Sequence, residues 1–180
     1  MTRLSAHQRG VLRGMAAGAI VAVAVVWGGA FVEVFGPFDD TPATRLSIAS
    51  GAAVLPALCL MIALGRIAKH RFFHAADIDG AGLTQGAPRV QLLRALAQNT
   101  HEQALLAVLA YVAWAVLMPI GTLSVVGLAA IVFVLGRILF FIGYARGAPA
   151  RSLGFTACFY PTALMLLTVA AVVGSRLLFG

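Results

Sequence analysis

The sequence predicts an all-α fold: a polytopic membrane helix bundle with five spans. Three observations carry that prediction. Of 180 residues, 61% are hydrophobic and only 11% charged, less than half the roughly one quarter of a soluble domain, and the mean hydropathy is +0.96. So few charges cannot clothe a water-facing surface. Second, five apolar stretches each come near the ~20 residues that cross a bilayer. Third, the basic residues behind the net charge of +7 gather in alternate loops, as orientation in a membrane requires. They form no single basic module, which excludes a nucleic-acid partner and leaves the lipid bilayer as the environment.

The stretches are residues 14–35, 46–64, 92–117, 122–144 and 155–173. The first is too long for the apolar core of a signal peptide and lacks a small-residue cleavage site after it, so it reads as a helix. Arg3, Arg9 and Arg13 precede it; Asp39, Asp40 and only Arg45 follow it. The next loop holds Arg66, Lys69, Arg71 and Arg89, the turn "MPIGT" no charge, the fourth loop Arg146 and Arg151, and the tail Arg176. Strict alternation places the N-terminus in the cytoplasm and the C-terminus outside. Twelve arginines against one lysine, with abundant alanine and glycine, read as a GC-rich coding bias and so as a bacterial inner membrane.

Gly36-Pro37 and Pro119 with Gly121 mark turns, while Pro56 and Pro161 fall inside spans and should kink them. Cys59 and Cys158 lie in apolar runs and read as buried hydrophobes rather than a disulfide. The polar loop "KHRFFHAADIDGAGLTQGAP" should lie at the cytoplasmic face. His70 and His74 in it lack a third metal ligand and read as solvated, and "DIDG" lacks the later acidic ligands of a calcium loop. No metal is expected.

The informative stretch is "LRALAQNTHEQALL", residues 92–105. The apolar remainder of that helix, 104–117, is too short to span, so its polar head must enter the membrane or contact protein, where ionisable groups are functional candidates. On a helical wheel Gln91, Ala95, Asn99 and Glu102 share one face, and Arg94, Gln98 and His101 another. The next span is also short and draws Arg137 inside. Counted from the turn near Ile120, Glu102 and Arg137 fall at one height in an antiparallel pair and are expected to form a buried ion pair. One mouth then collects Asn99, Glu102, Arg137, Tyr144, Arg151 and Arg66, suited to a small anionic, thiol-bearing ligand. Plainer readings stand beside this one: Arg146 and Arg151 as positive-inside anchors, Tyr144 as an interfacial belt residue like Trp27 or Trp114, and Glu102 with Arg137 as a structural clamp.

"Asn99-Thr-His-Glu102-Gln103", followed one helix later by "Arg137-Ile-Leu-Phe-Phe-Ile-Gly143-Tyr144-Ala145-Arg146" and then Arg151, resembles the two signature blocks of the MAPEG family, the membrane-associated proteins of eicosanoid and glutathione metabolism. The resemblance covers about residues 46–173 and is similar to the bacterial members. It implies a four-helix MAPEG-like core (41–180) plus one extra N-terminal transmembrane helix (1–40), assembled as a homotrimer with glutathione between protomers near the cytoplasmic side. It also implies that Arg66, Asn99, Glu102 and Arg137 bind glutathione, that Tyr144 belongs to the same site, and that Arg151 stabilises the thiolate. The family's arginine four residues before the asparagine is Ala95 here, and a second tyrosine before the Gly-Tyr step is Phe140.

The expected function is a glutathione-dependent transferase or peroxidase acting on a hydrophobic small-molecule electrophile that arrives through the bilayer. The rival is a non-catalytic MAPEG-like membrane protein, a structural subunit or a lipid or thiol binder.

Overall fold

A computed structural model describes residues 4–80, 83 and 86–179; Arg3 and residues 81, 82, 84 and 85 of the polar loop lie outside the described residues. Among the described residues five helices are long and apolar enough to cross a membrane: α1 (Ala6–Phe31), α2 (Pro42–Phe73), α3 (Pro88–Leu117), α4 (Ser124–Gly143) and α5 (Ala148–Phe179). The chain is an integral membrane protein.

The helices outrun the apolar stretches because capping chemistry, not hydropathy, sets their ends. Ser5 and Gln8 form a reciprocal capping box that starts α1 well before its apolar run. Thr41 caps α2, accepting from the Thr44 amide at 3.1 Å, with Pro42 in the first turn. Between α4 and α5 the break is made by Gly147, whose φ of +95° suits a residue without Cβ. Pro149 belongs to the first turn of α5, where a proline lacks nothing the helix needs. Pro56 and Pro161 fall inside α2 and α5, as expected.

The four helices α2–α5 pack as a square. α2 lies against α3 and α4, and α5 against the same two. α3 and α4, consecutive in the chain, face each other mainly across the diagonal. The interior is filled by Tyr111, Trp114, Phe133, Met165 and small alanines. Trp114 is not a belt residue: it is 1% exposed, and its Nε1–H donates to the Thr122 carbonyl and hydroxyl, tying the α3–α4 turn. At the same end Arg45 donates to the carbonyls of Ala115 and Met118 and to Asp40, closing the C-terminus of α3 as cations do. That guanidinium holds the Asp40 carboxyl below its usual range.

α1 packs along α5. Gly10, Gly14 and Gly18 meet Pro149, Ser152 and Thr156 in the same order, so the two helices run parallel. A Cβ on Gly14 or Gly18 would overlap the Ser152 or Thr156 hydroxyl. Small residues four apart let two backbones approach closely, and Thr156 Oγ1 lies 3.0 Å from the Gly14 carbonyl. Further along, α1 opens into a π-turn over Ala24–Gly28. Gly18→Leu is therefore expected to push α1 off α5, costing about 1–3 kcal/mol as overpacking does. A distance probe between α1 and α5 checks it, with Gly28→Leu, which meets open space, as control.

The segment joining α2 to α3 is tied by Asp77. Its carboxylate accepts from the Ala87 amide at 2.8 Å and faces His70 Nε2 at 2.9 Å. His74 is exposed, as the solvated reading expects; His70 departs from it, sitting in the last turn of α2 bonded to Asp77, with its ring stacked on that of His74 at 4.0 Å. The Ala87 amide first, then His70, holds the Asp77 carboxyl below the usual carboxylate range. A depressed carboxylate contributes stability above the unfolded value near ~3.9, lost as pH falls through the folded value. Asp77→Asn should therefore speed hydrogen exchange of the Ala87 amide at neutral pH, and the difference from the parent should shrink in acid.

Candidate functional site

Among the described residues, Arg137 is the buried charged side chain of the membrane helices, 1% exposed on α4. Its Nη1 donates to Asn99 Oδ1 on α3 at 2.9 Å, and its Nε to Cys158 Sγ on α5 at 3.3 Å. The Cys158 thiol in turn donates to the Phe133 carbonyl. The guanidinium lies over the Phe140 ring at 4.4 Å and near Phe133 at 5.6 Å. One side chain thus ties three helices, and its Nη2 is buried with no partner. Phe140 continues the line, meeting Tyr144 edge-on at 5.2 Å, and the Arg151 guanidinium lies 4.3 Å over the Tyr144 ring.

Four of the six expected site residues therefore fall on one continuous path: Asn99, Arg137, Tyr144 and Arg151, joined through Phe140. Phe140, on the same helical face as Arg137 and Tyr144, serves as the connecting ring. Arg151 also edges an apolar cleft of about 330 Å³, walled by Phe140, Phe155 and Tyr160 from the core helices and by Val11 and Met15 from α1. Ser152 and Thr156 line it too, but their hydroxyls are bonded to backbone carbonyls. Arg151 is the charged residue among those that line this cleft, its guanidinium stacked on Tyr144.

The expected Glu102–Arg137 pair does not form in the protomer. Glu102 is exposed and accepts from Gln98 at 2.8 Å. The reason is angular. The buried stripe of α3 runs through Leu96, Thr100, Gln103 and Ala107; at about 100° per residue, Glu102 is turned some 60° further from it than Asn99. The count along the helices set the height and left the azimuth open. Arg66 is the other residue off the path: its guanidinium lies 5.4 Å from the Phe141 ring, beside a separate cleft described below. His101 is exposed, away from Asn99.

A family model for the MAPEG family matches residues 46–171, well over half of the chain and both blocks of the path. The chain belongs to the MAPEG family. No curated protein and no solved structure matches it. The match begins in α2, so α1 stands outside the MAPEG range while supplying one wall of the cleft at Arg151.

Proposed function

We propose that this MAPEG protein is a glutathione-dependent membrane transferase or peroxidase acting on hydrophobic electrophiles. The observation that carries the reading is Arg151, a guanidinium stacked on Tyr144 at the edge of an apolar cleft. A free thiol has a pKa near ~8.5, and a neighbouring cation favours the thiolate, which is the nucleophile. The cleft offers an acceptor an apolar site beside that cation. In conjugation with an aryl halide the thiolate sulfur bonds the ring carbon, the halide leaves with the electron pair of the broken bond, and the thiol proton goes to water.

In this reading Asn99 and Arg137 fix the inner end of the thiol site, while Tyr144 and Arg151 hold its reactive end. Glu102 and Gln98 stand exposed on α3, where a neighbouring protomer of a homotrimer would complete the site. Arg66 plays no part, its neighbours being Phe141 and the cations of the other cleft. The loop charges support an orientation with the basic end, and so the thiol site, at the cytoplasmic face; the arginine-rich, lysine-poor composition supports a bacterial inner membrane.

One observation favours a non-catalytic MAPEG reading: Ala95 and Phe140 stand where the family carries an arginine and a tyrosine, leaving fewer groups to hold a thiol. Reconstituted protein supplied with glutathione and an aryl halide separates the two. Conjugation above the uncatalysed rate supports the enzyme; saturable thiol binding without turnover supports the binder.

A further inference from the structure

A second cleft, of about 440 Å³, lies between the end of α2 and the start of α3. It is lined by Arg66, Lys69 and Arg89 and the stacked His70 and His74, beside Phe73. No carboxylate lines it. Asp77, the acid in contact with a lining residue, is already taken by His70 and the Ala87 amide. Three permanent cations therefore share one cavity without a counter-charge among its lining residues. Arg89, moreover, stands in the first turn of α3, where the helix dipole disfavours a cation. Helix stability gives no reason for it there; an anion between it and α2 does.

Depth narrows the anion. The apolar run of α2 ends at Leu64, so Arg66 and Lys69 lie two and five residues beyond it. At ~1.5 Å per residue that is about 3–8 Å past the hydrocarbon, and the headgroup layer is about 5–8 Å thick on each side. Phe73 of the lining, its neighbour Phe72, and Ile78 and Leu83 between α2 and α3 are 57–79% exposed, apolar side chains suited to a membrane interface. The cations thus stand at phosphate height with apolar groups beside them.

We infer that this cleft binds the headgroup phosphate of an anionic phospholipid from the leaflet at the basic end. Basic pockets between transmembrane helices suit such headgroups. A zwitterionic lipid is disfavoured, because its ammonium group would meet Arg66, Lys69 and Arg89 rather than a carboxylate of the lining. The inference is independent of the thiol chemistry: neither Lys69 nor Arg89 belongs to that path.

The test uses the full-length protein in detergent micelles, titrated with short-chain phosphatidylglycerol, short-chain phosphatidylcholine and inorganic phosphate, with bound lipid counted by native mass spectrometry. Phosphatidylglycerol should bind about tenfold or more tightly than phosphatidylcholine, and millimolar phosphate should not displace it. Lys69→Gln combined with Arg89→Gln should abolish that preference, while leaving conjugation in phosphatidylcholine micelles and the melting temperature unchanged. Arg146→Gln, which removes a basic residue outside the cleft, should leave the preference intact. Equal binding of the two lipids overturns the inference. So does a preference that survives the double variant, or one lost equally in Arg146→Gln. Displacement of phosphatidylglycerol by phosphate would assign the cleft to a soluble anion instead.

Discussion

Arg151→Ala is expected to lower glutathione conjugation at neutral pH tenfold or more, with a smaller change in thiol affinity. The guanidinium lies 4.3 Å over the Tyr144 ring and edges the apolar cleft, so it is the cation a thiolate there would meet. Near neutral pH a thiol of pKa ~8.5 is only a few per cent ionised. The first unit by which a cation lowers that value is worth ~1.4 kcal/mol and raises the thiolate at pH ~7 about eightfold. Loss of Arg151 should therefore fall on turnover and move the rate profile to higher pH, so that much of the activity returns in alkali. A merely structural role would lower the rate equally at every pH. Arg151→Lys keeps the charge and loses the planar stack, and should fall between parent and Ala variant. Arg146, exposed in the turn after α4, is the control; Arg146→Ala should change little.

The largest effect on stability is expected at Arg137. Arg137→Ala removes a buried side chain bonded to α3 and α5 and packed on two rings. Large-to-small changes at such sites cost about 2–5 kcal/mol, and the stranded Asn99 oxygen adds to that. Asn99→Ala alone leaves the buried cation short of a partner and should cost about 1.5–3 kcal/mol, the range for hydrogen bonds to charged groups. Glu102→Gln, at an exposed position bonded to its own helix, should leave the melting of the protomer close to the parent. The opposite ranking, with Glu102→Gln the more damaging, would restore the ion pair the helix count suggested. Thermal melting of the three variants in one detergent decides it.

The five spans were legible because bilayer thickness fixes a length that each stretch comes near, the third and fourth by drawing polar residues inward. Their ends were not, since Ser5, Thr41 and Gly147 end helices by hydrogen bonding and backbone conformation that hydropathy does not register. The candidate site divides in the same way. Arg137 and Tyr144 could be placed because a short span forces a polar residue inward and one helix face carries both, and Arg151 because the Gly147 break returns the chain to the same mouth. Asn99 rather than Glu102 takes Arg137 because rotation of α3 within the bundle depends on packing against α2 and α5. One signal stood in the sequence unread: Gly10, Gly14 and Gly18, spaced by four, mark the face by which α1 meets α5. Read with Ser152 and Thr156 at the start of α5, that spacing identifies the contact by which α1 comes to wall the cleft at Arg151.

The account rests on a bound thiol being ionised at the Tyr144–Arg151 end of the path. The direct measurement is the ultraviolet thiolate absorbance of glutathione added to the reconstituted protein, followed from acid to alkali beside Arg151→Ala. The account predicts a saturable thiolate signal already present near neutral pH in the parent, displaced toward the free-thiol value in the variant. A parent whose bound glutathione ionises at the same pH as glutathione in water would contradict it.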